Sequence, residues 1–255
     1  MPTILPMRKH LDGLSLATTR LHAYAESTPL ETAVPTCRGW TVNRLIAHVG
    51  MVHRWATAIV REEPGRSTEE LEEEGLASGD PLAWFGHGSD VLLASLRRAP
   101  ADLDVWFFLN DAPRPREAWA RRQCHETTIH AVDALAAHVG GIPKSIDADI
   151  SPELAADGVD ELLCGFATRS KEDLRASRRV DVEVRASDTG DVWRAVVSEG
   201  PFEVRRGTEQ QDADAIVHGT AAQLYLGLWN RGDEVTCDGL DVISLWRERM
   251  QVNWS

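Results

Sequence analysis

The 255-residue sequence is poor in cysteine and in positive charge, and each shortage removes a class of function. Its four cysteines, Cys37, Cys124, Cys164 and Cys237, lie far apart with no C-x-x-C pair. That spacing excludes the disulfide framework of a small secreted domain and predicts reduced thiols. Lys and Arg number 27 against 40 Asp and Glu, a formal net charge of −13. A field of this sign repels phosphate backbones, so the sequence predicts no nucleic-acid partner and no attraction to anionic lipid. Every apolar run meets an Arg, His or Asp well before the roughly 18 residues a membrane span needs, and the segment MPTILPMRKH lacks the apolar core of a signal peptide. The expectation is a cytoplasmic protein with no membrane partner, and its acidic surface favours a monomer. There is no P-loop, no dinucleotide-binding glycine fingerprint and no nucleophile elbow, which leaves nucleotide binding and serine-hydrolase chemistry without support. Tyr (2) and Phe (5) are scarce beside nine Trp, so the aromatic core rests on indoles whose N–H groups need partners when buried.

What is present is an ordinary globular composition, 43% hydrophobic and 26% charged, in a length suited to one large domain or two modest ones. The first 150 or so residues carry helical periodicity. Leu11, Leu14, Leu21 and Tyr24 mark one face of a helix from Met7 to about Ser27. Thr41 can cap a second helix, whose Leu45, Val49, Val52, Ala56 and Ile59 keep helical spacing to about Glu62. The acidic stretch between Arg61 and Asp80 reads as a loop or a short solvated helix. Pro81 opens a third long helix to about Arg98, and a fourth runs from about Arg116 to His138, stopped by Gly140-Gly141 and Pro143. Four helices that bury their apolar faces only against one another make a four-helix bundle, residues 1–150. A connecting helix follows, from about Ser151 to Ala176, within a linker of residues 151–178. Residues 179–255 then alternate charged and apolar positions from Arg179 to Arg185 and again from Val192 to Val197, around turn residues Asp188 to Asp191. This hairpin, strands near Phe202–Arg206, Ala215–His218 and Val235–Cys237, and helices at Thr220–Asn230 and Asp241–Met250 predict a small α+β layer.

The segment Cys124-His125-Glu126-Thr127-Thr128-Ile129-His130 lies in the middle of the fourth helix. His125 and His130 are five apart, roughly 140° out of phase, so this is not the H-E-x-x-H of a zinc protease. Glu126 and His130, at i and i+4, do share a face. They are half of a metal site, and His48, flanked by Leu45, Val49 and Val52 on the second helix, can supply a third ligand. His53 is out of phase with His48 and is expected at the flank of its helix, capping, hydrogen-bonded or solvated. A His, Glu, His set with one position open describes a catalytic zinc site. The alternative keeps His48 and His130 as hydrogen-bonded core histidines and pairs Glu126 with Arg121 or Arg122. His10, His22, His87, His138 and His218 are read as surface or loop residues, Cys124 as a buried small hydrophobe, and Trp40 as a staple at the start of the second helix.

The stretch P-x-C-x-G-W-T-V-x-x-L-x-A-H, from Pro35 to His48, together with E-x-x-x-H at Glu126 to His130, resembles the mycothiol-dependent maleylpyruvate isomerase family. The resemblance extends to Leu228-Trp229-Asn230-Arg231 in the second part and covers nearly the whole chain apart from the acidic insertion. It implies an N-terminal DinB-like four-helix bundle followed by a small α+β sterol-carrier-like domain. It implies that His48, Glu126 and His130 hold a divalent metal, usually zinc, and that mycothiol is the cosubstrate, its thiol deprotonated by the metal. The thiolate would add to a cis double bond and leave again after rotation, which is cis-trans isomerisation of an electrophilic small molecule. The resemblance makes Arg231 a catalytic cation for the substrate's carboxylates, while its place after a helix equally allows an exposed arginine interacting with the dipole at that helix's C-terminus. The same metal and thiol also serve a mycothiol S-transferase that conjugates an electrophilic metabolite or xenobiotic. A third reading is a non-catalytic small-ligand-binding protein. The electrophile and the identity of the metal are not written in the sequence.

Overall fold

The computed structural model describes residues 5–169, 174–208 and 212–250. The chain divides into two compact units. The first comprises Pro6–Phe108 and Pro113–Pro143; the second is built from Lys144 onward, together with Leu5 and Leu109–Ala112. No helix among the described residues is long and apolar enough to cross a membrane.

The first unit is helical: α1 (Met7–Glu26), α2 (Val42–Val60), α3 (Thr68–Leu76), α4 (Pro81–Arg98) and α5 (Pro115–Val139). Local chemistry sets the boundaries. The Thr41 hydroxyl accepts the Arg44 N–H at 3.3 Å, and Asp80 accepts that of Ala83 at 3.0 Å with Pro81 in the first turn. α5 stops at Gly140, whose φ of 73° is left-handed. α5 lies along α1 and α2, and α2 also packs against α4 and α3. Leu14, Leu21, Leu45, Ile46, Val49 and Phe85 are fully enclosed there, each contributing about 1.5–3 kcal/mol by leaving water.

The acidic stretch takes its helical alternative as α3, capped by Ser67 on the Glu70 N–H at 3.1 Å. Trp84 holds it in place. Its indole N–H donates to Glu74 at 2.8 Å, and the Arg54 guanidinium sits 3.5 Å from the ring centroid. The ring lies over Gly50 of α2 and Gly75 of α3, where an added Cβ would come within 2.2 and 2.8 Å of it. α5 differs from the other helices. Residues from Ala118 to Ala137 are buried on every side, and they include Arg121, Arg122, His125, Glu126, His130 and Asp133. A helix enclosed all round is ordinarily apolar. This one carries its ionisable groups inward.

The second unit is α+β. Its sheet has the order β3-β2-β1-β4-β5, with β1 (Val180–Ala186), β2 (Val192–Val197), β3 (Glu203–Gly207), β4 (Ala215–Gly219) and β5 (Thr236–Gly239). β1 and β4 run parallel and the other neighbours antiparallel; Val184 stands opposite Trp193 on one side and Val217 on the other. Val182, Val184, Val197 and Val217 share an apolar interior with Leu228, Ile243 and Trp246. The helices are α6 (Ser145–Ala148), α7 (Pro152–Asp160), α8 (Ala221–Leu228) and α9 (Val242–Arg249). A capping box of Thr220 and Gln223 opens α8.

The expected helix from Ser151 to Ala176 is shorter and changes character. α7 passes into a π-helical turn, Glu161–Phe166, and a 3₁₀ turn, Ala167–Arg169. Residues 170–173 lie outside the described residues, and by Ala176 the backbone is bonded to Ser198 instead, N–H to O at 3.0 Å. Glu183 departs from strict alternation as well. It is buried on β1, held by Arg185 and by Arg194 Nε at 3.7 Å.

Gly50→Ala is expected to lower stability by about 1–3 kcal/mol in urea unfolding, because Trp84 is pinned and cannot yield. Gly86→Ala in α4, where a Cβ meets nothing within 4 Å, is the control and is expected to stabilise by about 0.5–1 kcal/mol.

Candidate metal centre

His48 reaches the interior because α2 is closed over by its neighbours, with Leu45, Ile46, Ala47 and Val49 all buried around it. Glu126 and His130 face it from one stripe of α5. His130 Nε2 stands 3.2 Å from Glu126 Oε1, and His48 Nε2 stands 3.6 Å from the same oxygen. The three ligand-type atoms fall within 4.8 Å of one another. Glu126 Oε2 turns the other way and accepts from Arg122 Nη2 at 3.1 Å. The carboxylate is thus shared: one oxygen faces two imidazoles and the other a guanidinium.

A second carboxylate stands behind the first. Asp133 Oδ2 accepts from His130 Nδ1 at 2.8 Å and from the Cys37 thiol at 3.2 Å, and Oδ1 accepts from the Thr36 hydroxyl at 2.5 Å. Thr36 and Cys37 arrive on a tight loop closed by pairing of Ala33 with Thr41, where Gly39 takes a φ of 81°. The same loop lays the Trp40 ring 4.8 Å from the His48 centroid and stacks it 6.0 Å from that of His130. Trp40 therefore covers the imidazoles, a larger part than that of a helix staple. Asp133 did not stand out in the sequence. Its only local signal is the H-x-x-D spacing from His130 on a helix rich in buried polar residues.

Burial pushes His48 below the ordinary histidine range, against the pull of Glu126, so the imidazole is held neutral. Burial acts on Glu126 too, but the facing imidazoles of His130 and His48 and the charge of Arg122 outweigh it and hold the carboxyl well below its usual range. In His130 burial is outweighed by Asp133, Cys37 and Glu126, which hold it well above. Two imidazoles and one carboxylate meeting from two helices are the donor set of a catalytic zinc site with an open position. A carboxylate on the far nitrogen of one imidazole is the usual outer support of such a site. The residues fit a divalent cation.

Three further histidines sharpen the picture. His53 is hydrogen-bonded, one of the expected outcomes, but is fully enclosed instead of at a flank, with Nδ1 2.9 Å from Ser89 Oγ and Nε2 2.9 Å from Thr127 Oγ1. α2 is covered on one side by α4 and on another by α5, so no flank is left for it. His10 is also buried rather than at the surface, its ring 6.0 Å from that of His125. Cys124 is buried. Arg231 belongs to the second unit, just after α8. Its N–H donates to Leu226 O at 2.7 Å and its Nη1 to Trp229 O at 2.9 Å.

The sequence profile described as the mycothiol maleylpyruvate isomerase N-terminal domain matches residues 13–135, and that of the C-terminal domain of the same enzyme matches residues 153–241. No match is found among curated proteins. Two solved structures share the fold. A crystal structure of the mycothiol-dependent maleylpyruvate isomerase is 16% identical with a TM-score of 0.59, and a histidine-to-alanine mutant of it is 15% identical with a TM-score of 0.61. Each alignment covers 92% of this chain and 93% of the other.

Burial pushes His53 down to about 3, which gives stability a definite pH dependence. The folded state refuses a proton that the unfolded state accepts below its ordinary pKa of about 6.5. His53 therefore costs nothing above that pH and removes about 1.4 kcal/mol per pH unit as pH falls from there toward 3. Urea titrations of wild type and His53→Gln between about pH 6 and 4 should differ in slope by close to one proton. Parallel slopes would contradict the assignment.

Proposed function

The chain belongs to the mycothiol maleylpyruvate isomerase family, and from that membership we propose a metal-dependent enzyme that uses mycothiol to isomerise a small electrophilic molecule about a cis double bond. The observation that carries the reading is the convergence of His48, Glu126 and His130 within 4.8 Å, buried between α2 and α5. In this reading His48 Nε2, Glu126 Oε1 and His130 Nε2 hold a divalent cation, and zinc suits the set. When bound, the cation supplies the Lewis acidity that keeps a coordinated thiol deprotonated at neutral pH.

The chain's own residues prepare the site for it. Burial keeps His48 neutral, so its lone pair is available. Arg122 anchors Glu126 through Oε2, which leaves Oε1 turned toward the imidazoles and saves the carboxylate from choosing its rotamer at the moment of binding. Trp40 lies beside both rings and limits the access of water on its side. Negative charge must be received when a nucleophile adds to an electrophile carrying carboxylates, and we assign that role to Arg231, whose planar fork suits a carboxylate. The reading entails a cytoplasmic enzyme working on small molecules, in keeping with the net charge of −13.

Metal content measured by elemental mass spectrometry, on protein purified without added metal or affinity tag, should be about one equivalent in wild type and below about a tenth in His130→Ala. Equal content in both removes the ligand assignment. With a cis-dicarboxylate electrophile and mycothiol, isomerase action returns the free thiol, whereas stoichiometric loss of thiol to a stable adduct would convert the reading to a mycothiol S-transferase.

Arg231→Lys keeps the charge and loses the fork. It should lower kcat/KM by about 10²-fold, some 2.7 kcal/mol of transition-state binding, with the melting temperature unchanged. A shift in melting temperature with kcat/KM unaltered would reduce Arg231 to its bond with Trp229.

A further inference from the structure

The cluster behind the three ligand-type residues contains more order than holding a cation by itself requires. Cys37, His130 and Asp133 also bring ligand-type atoms within 4.8 Å of one another. Donors and acceptors alternate there at 2.8 and 3.2 Å, so hydrogens occupy the space between the atoms and the trio is a hydrogen-bonded cradle. A neutral imidazole offers one nitrogen to a cation while the other carries its proton, and a fixed acceptor on that other nitrogen holds this tautomer. Asp133 is that acceptor on Nδ1, which leaves Nε2 directed at Glu126.

Asp133 and His130 are three residues apart on α5, and by itself the aspartate is a short arm free to rotate. It is pinned from outside its own helix: Thr36 holds one oxygen and Cys37 the other. Their loop is stiffened by its own backbone, with Val34 N–H to Trp40 O at 2.9 Å, Cys37 N–H to Val34 O at 3.1 Å and Trp40 N–H to Cys37 O at 3.0 Å. We propose that Asp133 is a positioning residue for His130, and that the loop between Ala33 and Thr41 sets it through Thr36 and Cys37. The proposal rests on the metal-binding reading and deepens it. The loop that carries Trp40 over the imidazoles thereby also fixes how one of them faces the cation, so the site depends on a segment that contributes no ligand.

The test is zinc affinity by competition with a chromophoric chelator, together with the visible absorption of cobalt-substituted protein as a report on coordination geometry. Asp133→Ala is expected to bind zinc about 10- to 100-fold more weakly and to alter the cobalt bands. Thr36→Val combined with Cys37→Ala leaves α5 intact and should weaken binding by about tenfold, and this pair decides the matter if Asp133→Ala does not melt cooperatively. Cys37→Ser keeps a donor and should stay within about threefold of wild type. Wild-type zinc affinity and an unchanged cobalt spectrum in the loop double variant would overturn the positioning role and leave the metal site standing. A wild-type protein that takes up no zinc would overturn both.

Discussion

A carboxylate placed at the centre of a helix that is buried on every side is the constraint to which the rest of the bundle answers. Taking Glu126 out of water costs several kcal/mol unless cations or hydrogen-bond donors surround it. α5 supplies two of these itself, Arg122 one turn before and His130 one turn after, at the i−4 and i+4 positions of a single stripe. The third, His48, comes from α2 and has to arrive in register. Arg122 and His130 carry the compensating charge, and removing either leaves the buried carboxylate with a single cation, at a cost of up to about 3–5 kcal/mol. The site therefore disciplines the packing: α2 and α5 cannot slide past each other by one turn without carrying His48 away from Glu126.

The helices of the first unit were legible because their boundaries are local. Thr41, Asp80 with Pro81, and Gly140 act within four residues of themselves, and the spacing of Leu14, Leu21, Leu45 and Val49 reads directly as one face. The hairpin of β1 and β2 was legible for the same reason, its two alternating runs meeting at the turn residues Asp188 to Asp191. What escaped is what tertiary contact decides. His53 looked like a flank residue because helical phase assumes one interior face, whereas α2 is covered from two directions. Of the two arginines that could meet Glu126, Arg122 does so because it is four residues away. The bond from Thr36 to Asp133 spans 97 positions of sequence, and nothing near either residue announces it. The change from α7 to the π-helical turn at Glu161 is flanked by Gly158 and Gly165, whose spacing alone does not mark it.

Four of the described tryptophans prove to be cross-links as much as core. Trp84 joins α4 to α3 through Glu74, Trp119 donates to Trp106 O at 3.1 Å, Trp193 on β2 reaches Asp160 of α7 at 2.9 Å, and Trp246 on α9 reaches Leu228 of α8 at 2.7 Å. In each case the ring fills space between elements and its one polar atom names a partner on another element or loop. An indole can do both where phenylalanine could only fill.

The second unit claims Leu109–Ala112 from the middle of the first, with Asn110 bonded to Thr168 and Leu109 packed against Gly165. The gene is consequently not modular where the protein is. A single crossover near Pro143 would exchange the bulk of the second unit but leave Leu5 and Leu109–Ala112 of the old one behind. On the ribosome the order is equally constrained. α2 with His48 emerges first and must wait until the chain has passed through those four residues and α5 has followed before Glu126 and His130 exist to meet it. The histidine thus spends that interval as an ordinary side chain, and the site is assembled only when the last helix of its unit is complete.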